Sequence, residues 1–429
     1  MKKCVKTCVW TVGILIAAVC LGAILMISVY LLPVDTMRQN AIDDLYLQLY
    51  EGDYYSWIQN DFTSQADDFT DALMLNTATY DCERSVIEKA LLNPRAGYEE
   101  GSQASKLQDY LMGVEIDREI TYGRYWHGYL VILKPLLLLF NYHSIRWINT
   151  IVGCALIAVI LLGFAEKFKN YKYAFSFLAA VLFLNPIVMR ASLQFNTVFY
   201  VIMAEYIIAL YWGGRLEKKG RFKYIFLISG ISTAFFDLLT YPVAALGMLL
   251  ILQLLLFGDT LKNNIIRAVK GGVLWLVGYL GMWGGKWIVA SLLTDENIIA
   301  DAVEQVIYRT GTGTGIDGFE FSWRGLFENN FRWLHAQNAI LFKMAVLVII
   351  AAIVVMLIRK KATIKLNPAF IITMTLFCFI PIVRYAVLSN HSFIHSFFTY
   401  RECMVAIMAL MCTLFNSIEL CNDSSALLV

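Results

Sequence analysis

From Val9 to Leu32 the chain carries no charged residue, and apolar runs of comparable length recur almost to its C-terminal end. Few folds accept such runs. A bilayer core about 30 Å thick is crossed by roughly 20 apolar residues in an α-helix. Every backbone polar group inside that core has to be satisfied internally. Hydrophobic residues make up 59% of the 429 and charged residues only 16%, more apolar surface than a soluble domain can bury. The runs are continuous and not alternating, which argues against a transmembrane β-barrel. The expected fold class is an all-α polytopic membrane protein of about ten transmembrane helices, with a large first external loop that itself contains helices.

Lys2, Lys3 and Lys6 precede the first run. That run is too long for a signal-peptide core and no small-x-small site closes it, so it reads as an uncleaved anchor. Further spans are expected near 145–165, 173–189, 196–213, 224–240, 241–258, 272–293, 340–358, 368–386 and 395–416. Four basic clusters fall on one set of connections: Lys167 to Lys172, Arg215 to Lys223, Lys262 to Lys270, and Arg359 to Lys365. They share the side of the basic N-terminus, which the positive-inside rule makes cytoplasmic, with both termini there. The chain then divides into a first transmembrane helix (1–33), an external loop region (34–125), an interfacial or re-entrant helix (126–142), and a transmembrane bundle (143–429) with an external loop at 294–339. Lys134-Pro135 interrupts the apolar stretch inside 126–142, and counting that stretch as a span would invert every later loop.

Val34 to Tyr125 holds 18 of the 33 acidic residues against 7 Lys and Arg, although the whole chain carries a formal charge of only +2. No basic aromatic face points to nucleic acid. Cys82 is the cysteine of the long external segment, and no Cys/His spacing suggests zinc. In Ala66-Asp-Asp-Phe-Thr-Asp-Ala-Leu-Met-Leu-Asn76 a helix starts, and Asp67 and Asp71 are four apart on one face of it. They are candidate catalytic carboxylates; the plainer alternative is a solvated acidic turn that suits the helix dipole. Tyr122-Gly-Arg-Tyr-Trp-His-Gly-Tyr129 sets Arg124 and His127 among aromatics, either as an interfacial belt or as a cation and an imidazole for a sugar or phosphate. Arg190, Asp237 and Lys286 lie at or near outer span ends, and a cation as deep as Lys286 needs a carboxylate, a phosphate or a watery cavity. Around the last outer hairpin, Arg384, His391, His395 and Arg401 gather. His391 and His395 could face a metal, but without a third ligand an anionic phosphate suits the group better. The stretch Thr310 to Gly315 alternates Thr and Gly without the Lys of a phosphate-binding loop.

One span, a long external loop with carboxylates, an interfacial helix and many short-looped spans resemble the GT-C superfamily of membrane glycosyltransferases. The strings DDFTDALMLN, YGRYWHGY, FDLLTYP and NHSFIHSFFTYR are similar to those of bacterial membrane proteins of that kind. The resemblance implies an enzyme in a bacterial cytoplasmic membrane with its active site facing outside. It would move a sugar from a polyprenyl-phosphate donor to a cell-envelope glycan or lipid acceptor. Asp71, then Asp67, would position or deprotonate the acceptor. In the superfamily the acid often lies nearer the first span, where Asp43 and Asp44 stand here. Arg124, His127, Arg190, Asp237, Lys286, Arg384, His391, His395 and Arg401 would bind substrate and lipid phosphate. No cofactor follows with certainty, and a divalent metal stays open. The rival reading is a transporter, flippase or polymerase of lipid-linked saccharides, with Lys286, Glu205 and Asp237 along a path.

Overall fold

The computed structural model describes residues 2–44, 51–313, 320–359 and 362–420. Lys360 and Lys361 of the fourth basic cluster, and Thr314 and Gly315 of the Thr-Gly stretch, lie outside the described residues. Among the described residues the chain is helical apart from two short antiparallel ladders. β1 (Arg95–Gly97) pairs with β2 (Arg118–Ile120), Arg95 opposite Ile120, and β3 (Ala362–Ile364) pairs with β4 (Ile418–Leu420), Ala362 opposite Leu420.

The first long helix, α1 (Lys2–Tyr30), leads into a polar module of α2 (Val34–Ile42), α3 (Asp68–Thr79), α4 (Val86–Leu92) and α5 (Gln103–Leu111). A short helix, α6 (Leu130–Leu137), with Pro135 inside it, occupies the segment expected to be interfacial or re-entrant. The bundle continues through α7 (Tyr142–Phe168), α8 (Lys172–Phe183), α9 (Pro186–Ala191), α10 (Leu193–Lys218), α11 (Lys223–Phe236), α12 (Val243–Phe257) and α13 (Leu261–Leu293). Two amphipathic helices, α14 (Ile298–Thr310) and α15 (Trp323–Asn330), precede α16 (Ile340–Ile358). The chain closes with α17 (Pro368–Cys378), α18 (Ile380–Val387), α19 (Ser389–Ile394), α20 (Ser396–Thr399) and α21 (Met404–Asn416).

Among the described residues, seven helical stretches are long and apolar enough to cross a membrane: α1, α7, α10, α13, α16, Pro368–Val387 and Ser396–Asn416. A helical multi-pass membrane protein accounts for them. The three other places where spans were expected carry the shorter apolar helices α8, α11 and α12. At ~1.5 Å per residue, α8 rises only ~18 Å, less than a bilayer core. Conversely, α13 starts earlier than its apolar run, so Lys262, Arg267 and Lys270 lie within its first turns.

Close helix contact comes from small residues. α11 and α13 cross so tightly that a Cβ on Gly230 would collide with the Trp275 carbonyl, and one on Gly278 with the Leu227 carbonyl. In a bilayer, where no hydrophobic force separates helix from lipid, such close backbone approach is what holds helices together.

The molecule has a basic end and a polar end. α1 starts at the basic end, where Lys223 Nζ donates to Thr7 Oγ1 at 2.6 Å. It finishes at the polar end, where Tyr30 Oη donates to Asn93 Oδ1 at 3.3 Å. The polar module and the 294–339 segment meet there: Asp61 accepts from the backbone N–H of Ala339 at 3.0 Å, and Arg124 pairs with Asp301 at 3.1 Å. Lys286, deep in α13, is satisfied by backbone and not by a carboxylate or phosphate. Its Nζ donates to the carbonyls of Leu91 (2.7 Å) and Ala90 (3.4 Å), the last turn of α4. A cation at a helix C-terminus meets the orphan carbonyls and the negative end of the dipole.

Candidate functional site at the polar end

The site is organised by the first turn of α10. Asn185 holds a left-handed conformation (φ 60°), Pro186 opens α9 as a first helical residue, and Ser192 is extended, so a new helix must start at Leu193. Its orphan donors need an acceptor. Asp71 supplies it, accepting from Leu193 N–H at 2.7 Å and Gln194 N–H at 3.1 Å, with Tyr142 Oη donating at 2.7 Å. Asp67 caps its own helix, accepting from Thr70 N–H (3.1 Å) and Thr70 Oγ1 (2.9 Å). Its backbone N–H donates to Ser192 Oγ at 2.9 Å. The third carboxylate of this turn, Asp68, and Glu51 both pair with Arg146, at 2.6 and 2.8 Å.

Asp67 and Asp71 are fully buried. Burial pushes Asp67 up to about 7; the Thr70 N–H opposes the shift, Asp71 adds to it, and the Arg401 guanidinium opposes it. Burial also raises Asp71, to about 6, against the pull of the Leu193 N–H, Tyr142 and Arg146. A carboxyl group near neutrality can hold or release a proton at working pH, which is what a general base requires.

On the other side of the α10 turn lies Arg401. Its guanidinium stacks 3.6 Å over the Phe195 ring, and Nη1 donates to the Phe397 carbonyl at 2.9 Å. Nε and Nη2 are buried without a hydrogen-bond partner. Gln194 Oε1 and Asn390 Oδ1 are buried acceptors in the same condition. Such orphans are rare, because each forfeits about 1–3 kcal/mol of hydration.

The Asp237 turn adjoins this group. Thr197 Oγ1, from α10, donates to Asp237 at 3.3 Å, and Thr240 N–H donates to it at 3.0 Å. Leu239 is left-handed (φ 69°), an uncommon conformation for a branched aliphatic residue. Its carbonyl is held by Arg384 Nη2 at 3.3 Å and His391 Nε2 at 3.0 Å. Arg384 also pairs with Glu402 at 3.0 Å and donates to Ser392 Oγ at 2.9 Å. His391 and His395 lie 4.7 Å apart, centroid to centroid. Burial lowers His391 well below the usual imidazole value, and lowers His395 to about 4, with nearby arginines adding to both shifts. At neutral pH both rings are uncharged hydrogen-bonding groups, not the extra cations a phosphate clamp would use.

Arg124 and His127 stand apart from this centre. Arg124 is taken by Asp301 and lies 4.4 Å over the Tyr122 ring. His127 is buried between Tyr129 Oη (3.0 Å) and the Tyr122 carbonyl (3.1 Å). Arg190 stacks 4.1 Å over Trp147. The link between the two regions is Arg309 of α14, which the sequence reading did not single out. It bonds to Tyr125 Oη, and its charge acts on both His391 and His395. Asp44, the more span-proximal acid, accepts from His143 N–H at 2.8 Å. Asp43 accepts from the Gln39 side chain at 3.2 Å. Among the described residues no three His, Cys, Asp or Glu side chains are grouped to hold a metal ion.

A cavity of about 1170 Å³ runs beside this centre. One stripe of α10 forms its spine: Leu193, Asn196, Thr197, Tyr200, Val201, Ala204, Glu205 and Ile208, each with a neighbour three or four positions away on the same helix face. Residues of α1, α6, α7 and α11 supply apolar walls, and Lys218, Lys219 and Arg221 stand at the basic end. Its polar end touches the site directly. Leu193 donates its N–H to Asp71, and Thr197 donates to Asp237.

Comparison with family models, with curated proteins and with solved structures gives no match, so the chemistry of these residues rests on geometry.

Proposed function

We propose that this chain is a membrane transferase that takes a polyprenyl-phosphate-linked sugar and passes the sugar to a cell-envelope glycan or lipid on the external face. The observation that carries the reading is the cavity. It follows α10 for most of its length, ~35 Å at ~1.5 Å per residue, and ends at two residues that hydrogen-bond buried carboxylates. A long apolar tail suits the walls; Arg401, with two unpaired N–H groups, is the cation for a phosphate-linked head in this reading, and it stacks on Phe195 of the same first turn of α10 without lining the cavity itself. In this reading the polar end is external, α8, α11 and α12 complete ten spans with their flanking turns, and both termini are cytoplasmic.

The reaction breaks the bond between the sugar's anomeric carbon and the lipid-phosphate oxygen, and forms one from that carbon to an acceptor hydroxyl oxygen. The hydroxyl proton goes to a carboxylate. Geometry favours Asp67 over Asp71 for this, because Asp71 already accepts three hydrogen bonds that hold α10 in place. Arg401 offsets the charge that returns to the phosphate, the larger electrostatic part of such a step. The neutral rings of His391 and His395 donate or accept hydrogen bonds without adding charge.

A second reading has one specific support: the same cavity reaches the basic end and passes Glu205 midway, as a path for moving a lipid-linked saccharide would. Reconstituted protein with a short-chain lipid-linked sugar separates the two. The transferase reading expects sugar on the acceptor, with Asp67→Asn lowering the rate about 10²- to 10⁴-fold. Movement of the donor across the vesicle without bond cleavage would replace it with the flippase reading.

A further inference from the structure

The basic end of the cavity carries a feature that donor transfer at the polar end does not use. Lys218, Lys219 and Arg221 rim the opening from the α10–α11 turn, and Lys6 joins them from the start of α1. The turn is rigid. Gly220 is left-handed (φ 64°), its N–H bonds to the Glu217 carbonyl at 2.8 Å, and Arg221 N–H reaches back to the Leu216 carbonyl at 2.7 Å. That is the Schellman closure of a helix C-terminus, and it fixes where the cations stand. Lys223 is engaged with Thr7 and fastens α11 to α1 at the same opening. Glu217 is the acid on the rim, and the rim remains net positive.

A basic cluster at a span boundary ordinarily does no more than set orientation. The other clusters behave that way: Lys167, Lys169, Lys262 and Lys270 do not face the cavity, and Arg267 pairs with Asp259. At the α10–α11 turn, in contrast, cations from two distant segments converge on an apolar opening. Basic pockets between transmembrane helices on the cytoplasmic side take anionic lipid headgroups.

We propose that this opening is a site for an anionic glycerophospholipid of the adjacent leaflet. Its phosphate lies among Lys6, Lys218, Lys219 and Arg221, and its acyl chains follow the cavity walls formed by Trp10 and Ile228. The site does not depend on the transferase reading. The protein supports it with charge at the rim and apolar surface above, a pairing that neither a free phosphate nor a neutral lipid fits.

Full-length protein purified in a neutral detergent and titrated with phosphatidylglycerol tests the proposal, with bound lipid counted by native mass spectrometry. Two triple variants are compared. Lys218→Gln/Lys219→Gln/Arg221→Gln empties the rim, and Lys167→Gln/Lys169→Gln/Lys262→Gln removes the same charge at the same end away from the cavity. At about a tenfold loss for each 1.4 kcal/mol and about 1 kcal/mol per cation, the rim variant should bind roughly 100-fold more weakly. The control should stay within about threefold of the parent, and polyprenyl phosphate binding should persist in both. Equal losses in the two variants would overturn the site in favour of general surface attraction, as would glycerol 3-phosphate binding as tightly as the intact lipid. Should the rim triple variant fail to purify, Arg221→Gln alone is expected to weaken binding about fivefold, and unchanged binding then refutes the site. None of these outcomes bears on sugar transfer, so the two readings fail separately.

Discussion

At the scale of single residues, Asp67 and Asp71 look alike in sequence and differ in what they hold. Asp71 is the acceptor for the start of α10, and Asp67 serves its own helix beside Arg401. Asp71→Ala should therefore act first on stability, whereas Asp67→Asn keeps an oxygen to cap its own helix. A lost helix cap costs about 0.5–2 kcal/mol, read as a lower unfolding midpoint in detergent. Asp67→Asn should spare the midpoint and remove activity. The pH dependence separates them further. Asp67 ionises near 7 in the fold against 3.8 as the ordinary value, so its raised value favours the folded protein at acid pH. That contribution is complete below 3.8 and is lost as pH rises through about 7. The melting temperature of the parent should fall between pH 5 and pH 8 more than that of Asp67→Asn, while the parent's activity climbs over the same range as the carboxylate forms. Equal slopes in parent and variant would remove Asp67 from this role.

At the scale of elements, local patterns were legible and long-range partners were not. The acidic turn announced α3, since it acts through its own backbone, whereas Asn185-Pro186 breaks a span that was expected to run over 173–189. Nothing near Asp71 in sequence indicates that its partner is a helix start 122 residues away. Lys286 likewise called for a carboxylate, a phosphate or a watery cavity on general grounds, and the structure gives it the last carbonyls of α4. Lys286→Met should leave those buried carbonyls unmet at a cost of about 1–3 kcal/mol. The loss should be local, loosening α4 from α13, and is read as faster amide exchange across Val86–Leu92 with the rest of the bundle unchanged. Uniform exchange across both helices would contradict the capping role. The charge state of His391 and His395 was also hidden, because it follows from burial and from Arg384 and Arg309, none of which a spacing of four reveals.

At the scale of the whole molecule, the alternation of apolar runs and basic connections announced a helical membrane bundle, and among the described residues seven helices have the length and composition for crossing. Three other expected spans carry only the shorter apolar helices α8, α11 and α12, which end at turns at Asn185, Asp237 and Gly258. The cavity was invisible in sequence, since its walls come from helices that are distant along the chain. Orientation is tested with Cys82 as the reporter after the other cysteines are replaced. Impermeant maleimide should label it in intact cells and should miss a Lys218→Cys variant. The reverse pattern would turn the molecule over. The central claim is that the cavity along α10 receives the tail of a lipid-phosphate substrate. Its most direct measurement is photocrosslinking with a polyprenyl phosphate that carries a diazirine partway along its chain. The account predicts adducts on Tyr200 to Ile208 and on the facing part of α11 near Ser232, suppressed by Ala204→Trp. Adducts confined to the lipid-exposed surface of α16, unchanged by Ala204→Trp, would contradict it.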